Sequence, residues 1–300
     1  MDRLQRAYFK MAAELKYQKL KRTEFQAWFG EIMEKAYPED YENIRVTQGD
    51  GGLDGILIDS GCVFQVYAPR EQSASTIIKK IETDFTTANN TMQEKEVQLK
   101  RWVFVHNDEG LTKEIGPTLA KLKQDNPEVK FETWTFERIW LVLERLSEDQ
   151  LADLFGINPT ESYVERLEFP AIRDVIEHLS RADAPADPDL TVPDRDKLEH
   201  NRISIVKADL LRVGRSRQEL VNEYLSGITD PTTGEDIAEA FRIKYLSLKN
   251  SGMDADQIFT ALWRYAGGED FVQPDQVAAV TAVLAYYFSR CDIFENVPSK

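Results

Sequence analysis

Five side chains between Glu24 and Tyr67 are of the types that hold a hard cation or handle a phosphodiester: Glu24, Glu31, Asp54, Gln65 and Tyr67. Glu24 and Glu31 stand seven residues apart, so on a helix they project close together at the edge of the stripe Phe25, Trp28, Phe29, Ile32, Met33 and Ala36. Asp54 closes GDGGLD. The β-rich runs GILI and VFQVYA follow, separated by Asp59-Ser60-Gly61, a good hairpin connection. A hairpin turning about Ser60 sets Asp54 opposite Val66 and beside Gln65 and Tyr67, on a strand about 5 Å away. An Asp, a second oxygen ligand and a helix-borne Glu meeting at a sheet edge suit Mg²⁺, which takes oxygen ligands in near-octahedral geometry and keeps several waters. Such an ion polarises a phosphate and lowers the pKa of the attacking water, the chemistry of phosphodiester hydrolysis. The competing reading is that Asp50, Gly51, Gly52 and Asp54 simply make a tight turn, as Gly/Asp clusters routinely do.

The elements that must position these groups are legible from periodicity. The opening is helical through about Leu20, and Thr23 with Gln26 three residues on has the pattern of a capping box starting a second helix. Pro38 ends it. Ile44 to Thr47 reads as a strand, QGDGG as a turn, and residues 73–97 as a helix. RWVFVHN is a compact apolar run, read as a buried strand closed by His106-Asn107-Asp108-Glu109-Gly110. LTKEIGPTLAKLKQDN is helical, KFETWTF alternates as a strand does, and FERIWLVLERL is helical again. This order predicts an α/β domain with a central mixed sheet flanked by helices over residues 1–180. Residues 181–194 are proline-rich and aperiodic, the composition of a linker. Residues 195–300 contain only helical patterns, predicting an all-α bundle.

Composition excludes several classes. Of 300 residues 42% are hydrophobic and 30% charged, so the chain is globular. No run approaches the roughly 18 apolar residues of a membrane helix, and the N-terminus lacks the apolar core of a secretory signal. Cys62 and Cys291 are too distant for a metal knuckle and too few for a disulfide scaffold, so a reduced cytoplasmic setting is expected. His106, His178 and His200 share no metal motif, and His106 reads as a hydrogen-bonded residue ending its strand rather than a general base. No GxxxxGK[ST] occurs, so this chain is not an ATPase of the P-loop kind. Residues 102–194 hold nine basic against twenty acidic side chains and contribute most of the net charge of −15. That middle repels phosphate, so DNA is expected to be reached through a basic partner. Seven Lys/Arg in residues 1–22 read as a solvated helix face. The five tryptophans fall on apolar stripes and are expected in cores, and Phe294 is expected to pack on its own bundle rather than anchor a partner.

The helix acid, the GDGGLDG loop and Gln65-Val66-Tyr67 together resemble the PD-(D/E)XK nucleases, in particular their Mrr-like restriction-endonuclease branch. The resemblance implies a restriction-endonuclease-like fold in which Asp54 is the metal-binding Asp, Gln65 the second ligand, and Glu24 or Glu31 the helix acid. Tyr67 stands where that family has a Lys, which orients water and stabilises developing negative charge. A phenol with a pKa near 10 supplies no such cation; Arg70 and Lys79 are the nearby cations that would have to reach in. The resemblance therefore implies either a Mg²⁺-dependent DNA endonuclease or a fold whose catalysis is lost. A second resemblance runs from about Glu24 to Val297. GDGGLDG, FQVYAPRE, WVFVHND and VLAYYFSRCDIFENVP are similar to proteins of the bacterial ABC-three-component systems, the Lamassu-like antiphage defence group. It implies partnership with an SMC/Rad50-like ATPase and further subunits, with DNA engaged through the complex and no membrane.

Overall fold

In the computed structural model, residues 1–44, 53–69, 74–107, 115–180, 196–267, 273–290 and 293–295 are described. The chain divides into two compact units: residues 12–154, and residues 1–11 with 155–300.

The first unit is built on a five-stranded sheet. Its helix α1 (Arg3–Lys19) begins in the other unit, and α2 (Arg22–Ala36) follows. The strands are β1 (Tyr41–Asn43), β2 (Gly55–Leu57), β3 (Cys62–Tyr67), β4 (Arg101–His106) and β5 (Lys130–Trp134), in spatial order β1-β2-β3-β4-β5. The first three pair antiparallel, and β3, β4 and β5 pair parallel. Parallel neighbours need crossovers, which α3 (Ala74–Glu94) and α4 (Ile115–Asp125) supply; α5 (Phe136–Leu143) and α6 (Glu148–Phe155) complete the helices. This is the mixed α/β sheet that the periodicities predict.

Alternation along the strands sorts the core into two layers. Val63, Trp102 and Phe104 join Ile77, Ile81 and Phe85 of α3 in one cluster, with Phe131 packed against it. On the opposite face Phe64 meets Phe29 of α2 at 5.5 Å and Trp134 at 5.3 Å between ring centroids. The strand β4 is buried on both faces, which is why it reads as a continuous apolar run. Trp28, Trp102, Trp134, Trp140 and, in the second unit, Trp263 are all buried, as expected of core side chains.

Two local expectations are corrected. The first strand among the described residues is Tyr41–Asn43; of the strand expected over Ile44 to Thr47, residues 45–47 lie outside the described residues, as do those of the QGDGG turn. The hairpin is symmetric about the Asp59–Ser60 peptide, not about Ser60: Gly55 pairs with Phe64, Ile56 with Val63 and Leu57 with Cys62. Asp59 N donates to Asp40 Oδ1 at 2.7 Å and Ile58 N to Asp40 O at 3.1 Å, anchoring the turn from outside the hairpin. Finally, α2 starts at Arg22 with Lys21 at the N-cap and no side-chain cap hydrogen bond, so Thr23 and Gln26 form no capping box.

The second unit is helical: α7 (Glu161–Glu165), α8 (Phe169–Ser180), α9 (Asp196–His200), α10 (Ile205–Arg215), α11 (Gln218–Gly227), α12 (Thr233–Asn250), α13 (Ala255–Gly267) and α14 (Pro274–Ser289). Every residue of α14 from Val277 to Phe288 is buried, so it is the central helix, apolar all round because it is enclosed all round. A Cβ on Gly214 of α10 would stand 2.2 Å from Thr281 O, so α10 lies backbone-close on α14 only because that residue is glycine. The helices α7 and α8 belong to this unit, not to the sheet. Residues 181–194, outside the described residues, therefore fall in sequence between two helices of one unit. Phe294 is buried against Tyr245 and Phe288, as its packing on its own bundle requires. Among the described residues no helix is long and apolar enough to cross a membrane.

Candidate functional site

Asp54 is fixed by every element around it. Its N donates to Phe64 O at 2.9 Å and its O accepts from Ile44 N at 3.2 Å. Its carboxylate accepts Val66 N on Oδ2 at 2.6 Å and Gln26 Nε2 on Oδ1 at 2.7 Å. The residue is buried. A buried carboxylate needs such donors, since removing it from water without them is costly.

The α2 side chain that reaches Asp54 is thus Gln26 and not a glutamate. Gln26, Gly30 and Glu34 form one row along α2, each about one turn from the next. A Cβ on Gly30 would meet Asn43 Nδ2 at 2.7 Å, and Asn43 Nδ2 lies 3.5 Å from Glu34 Oε1, so this row overlies β1. Glu24 and Glu31 lie well over a third of a turn around the helix from Gln26 and are exposed. The charge of Glu31 is felt by Lys16, whose pKa is lowered by burial and raised in part by that carboxylate. Burial pushes the Tyr41 phenol well above its ordinary value, helped by the charges of Glu34 and Asp54. Glu34, which the sequence offered no reason to single out, is therefore the α2 acid near this end of the sheet.

Gln65 is buried between Val63 and Tyr67 on the face of β3 that packs on α3. Its Oε1 has no hydrogen-bond partner among the described residues. The neighbouring residue Val66 supplies the N that binds Asp54. Tyr67 packs on Phe104 with ring centroids 6.1 Å apart and lies level with His106 in the parallel β3/β4 pair. Lys80 Nζ lies 5.6 Å from the Tyr67 ring centroid and 2.9 Å from Asp84 Oδ2. The cation beside Tyr67 is thus Lys80; Lys79 is exposed, and Arg70 lies outside the described residues. His106 is buried and stacked on Phe104, and its carbonyl accepts the Tyr17 hydroxyl at 2.8 Å. Asn107 Nδ2 donates to Tyr17 O and Leu20 O, closing the carbonyl end of α1.

The donor set suits Mg²⁺ poorly. A hard cation of this size wants carboxylates and waters in octahedral array, whereas Asp54 meets an amide on α2 and has a hydrogen bond on each oxygen. Among the described residues no group of three or more His, Cys, Asp or Glu side chains stands placed to hold a metal ion. What this arrangement does chemically is lock three strands and α2 together around one buried carboxylate.

These features define a mixed α/β sheet unit, with a buried carboxylate at the start of its central hairpin, joined to a helical unit organised around α14. Residues 170–295 match the family described as C-terminal domain 10 of the ABC-three component (ABC-3C) systems, which supports membership of an ABC-three-component system. No curated protein and no solved structure matches the chain.

Proposed function

We propose that this chain is a non-ATPase subunit of an ABC-three-component antiphage defence complex of the Lamassu-like kind. Its sheet unit is a restriction-endonuclease-like fold in which the metal site is not functional, serving assembly and DNA engagement beside an SMC/Rad50-like ATPase. Two observations support this. Residues 170–295 match a C-terminal domain of ABC-three-component systems. At the sheet, the helix α2 brings Gln26 rather than an acid to Asp54, and Tyr67 stands where the resemblance to PD-(D/E)XK nucleases implies a Lys. The net charge of −15 makes unaided DNA binding weak, so duplex affinity is expected only with a basic partner subunit.

A second reading, a Mg²⁺-dependent DNA endonuclease released by the assembled complex, draws on Lys80. Its ammonium over the Tyr67 ring returns a cation to the neighbourhood of that strand position. One experiment separates the two. Plasmid nicking is measured with Mg²⁺ or Mn²⁺, for the chain alone and with its ATPase partner, alongside phage challenge of cells carrying Lys80→Ala. Absent nicking and intact defence support the assembly role. Metal-dependent nicking that Lys80→Ala removes, with loss of defence but not of complex formation, establishes the endonuclease instead.

A further inference from the structure

The segment Ile293–Glu295 is held by side chains and not by any regular element. Glu295 N donates to Asn201 Oδ1 at 2.9 Å, and Asn201 Nδ2 donates back to Glu295 O at 2.8 Å. Asn201 thus reads the backbone in both directions, its amide fixed by a further bond from Nδ2 to Lys197 O at 2.8 Å. Lys197 is fully buried; its Nζ donates to Ile293 O at 2.7 Å and Phe288 O at 3.0 Å and lies 4.5 Å from the Phe288 ring centroid. The Phe294 ring packs between Tyr245, at 5.2 Å, and Phe288, at 5.6 Å. Lys249 hydrogen-bonds Glu295 Oε1, and His200 Nε2 lies 3.9 Å from Oε2.

Each feature of the tripeptide has its own reader: the backbone has Asn201, a carbonyl has Lys197, the aromatic ring has an aromatic slot, and the carboxylate has Lys249 and His200. That is how proteins recognise short extended peptides. Phe294 also holds φ +65°, a left-handed conformation that an aromatic residue keeps only where its surroundings over-determine it. We propose that these groups form a peptide-recognition slot for an aliphatic–Phe–acid tripeptide, filled in cis by Ile293–Glu295. It takes the same tripeptide from a second copy of this chain once its own is displaced. Tethering gives the resident segment an effective concentration of about millimolar, so an intact chain resists exchange. The slot is independent of whether the sheet unit cleaves DNA.

The test uses the full-length chain and a labelled peptide spanning residues 290–297 with Cys291→Ser, read by fluorescence anisotropy. Glu295→Lys loosens the resident segment at an exposed position without touching the core; Phe294→Ala empties the aromatic slot. Each variant is expected to bind the peptide one to one, at least about tenfold more tightly than the intact chain. A peptide carrying Phe294→Ala should not bind. Adding Lys249→Glu to Glu295→Lys restores the ion pair in reversed sense and should reduce binding of the acidic peptide again. Failure of Glu295→Lys, still folded by circular dichroism, to bind the peptide overturns the proposal. So does equal binding by the intact chain, or binding indifferent to the peptide's Phe.

Discussion

Gln26 Nε2 donates to Asp54 Oδ1 at 2.7 Å, joining α2 to the residue that immediately precedes β2. With Val66 N on the other oxygen, the carboxylate is a structural joint in the sheet. Breaking it is expected to cost stability before anything else. Gln26→Ala should lower unfolding free energy by about 1.5–3 kcal/mol, the range for hydrogen bonds to charged groups, measured by urea denaturation. A change below a few tenths of a kcal/mol would mean that the bond adds nothing in solution.

Gln26→Glu sets a second carboxylate against Asp54. The like charges should raise the pKa of one of them and destabilise the fold near neutral pH. A divalent cation relieves that repulsion, so Mn²⁺ should raise the melting temperature of Gln26→Glu while leaving the natural chain unmoved. Equal Mn²⁺ shifts in both would show that Asp54 already binds metal.

Gly214 of α10 has Thr281 O at 2.2 Å and Ala285 Cβ at 2.8 Å from where its own Cβ would lie. The obstacle is backbone, which no rotamer change removes. Gly214→Ala gains up to about 1 kcal/mol in helix propensity, yet overpacking typically costs about 1–3 kcal/mol and is expected to win. Thermal melting should show a net loss, larger for Gly214→Val; a stabilised Gly214→Ala would refute the close approach.

Lys197→Met keeps the apolar stem of the side chain but strips Phe288 O and Ile293 O of their shared donor. Leaving buried carbonyls unpaired costs about 1–3 kcal/mol each. Hydrogen exchange of the last turn of α14 and of residues 293–295 should speed up together. Faster exchange at only one of the two would contradict a single shared cap.

Alkali should unfold the chain in a defined window. Burial pushes the Cys62 thiol up to about 11 from 9.0, against a partly opposing effect from Arg101, and the Tyr8 phenol up to about 12 from 10.0. The folded chain holds these protons where the unfolded chain has lost them. The stability is therefore fully present below pH 9 and falls as pH rises through 11 and 12. The loss is on the order of 2 kcal/mol per group. Denaturant midpoints at pH 8, 10 and 11.5 would read it, and Cys62 should resist alkylation at pH 8 until the chain unfolds. Rapid modification of Cys62 in the native chain would contradict its burial.

The sequence by itself determined the elements. The two-residue alternation of KFETWTF, the apolar run WVFVH and the stripe from Phe25 to Met33 each commit to one secondary structure, because only one period buries their apolar atoms. They also fix a mixed sheet flanked by helices and a helical bundle after it; that α14 lies at the centre of its unit is decided by the packing, which buries every residue from Val277 to Phe288. What tertiary structure decided is finer than one residue. Asp40, contacting the turn from outside the hairpin, is associated with pairing centred between Asp59 and Ser60, half a residue from the local optimum, and Asp54, one residue before that ladder, bonds Phe64 O and Val66 N. On α2 the rotation is set by Phe25 and Phe29 entering the core, and one step along a helix turns a side chain by about 100°. Glu24 and Gln26 are two steps apart, so the packing of the stripe presents the amide to Asp54 and leaves the acid in solvent. Periodicity reveals which face of an element is buried; which polar residue at the edge of that face meets a given partner depends on an angle that only the packed core fixes.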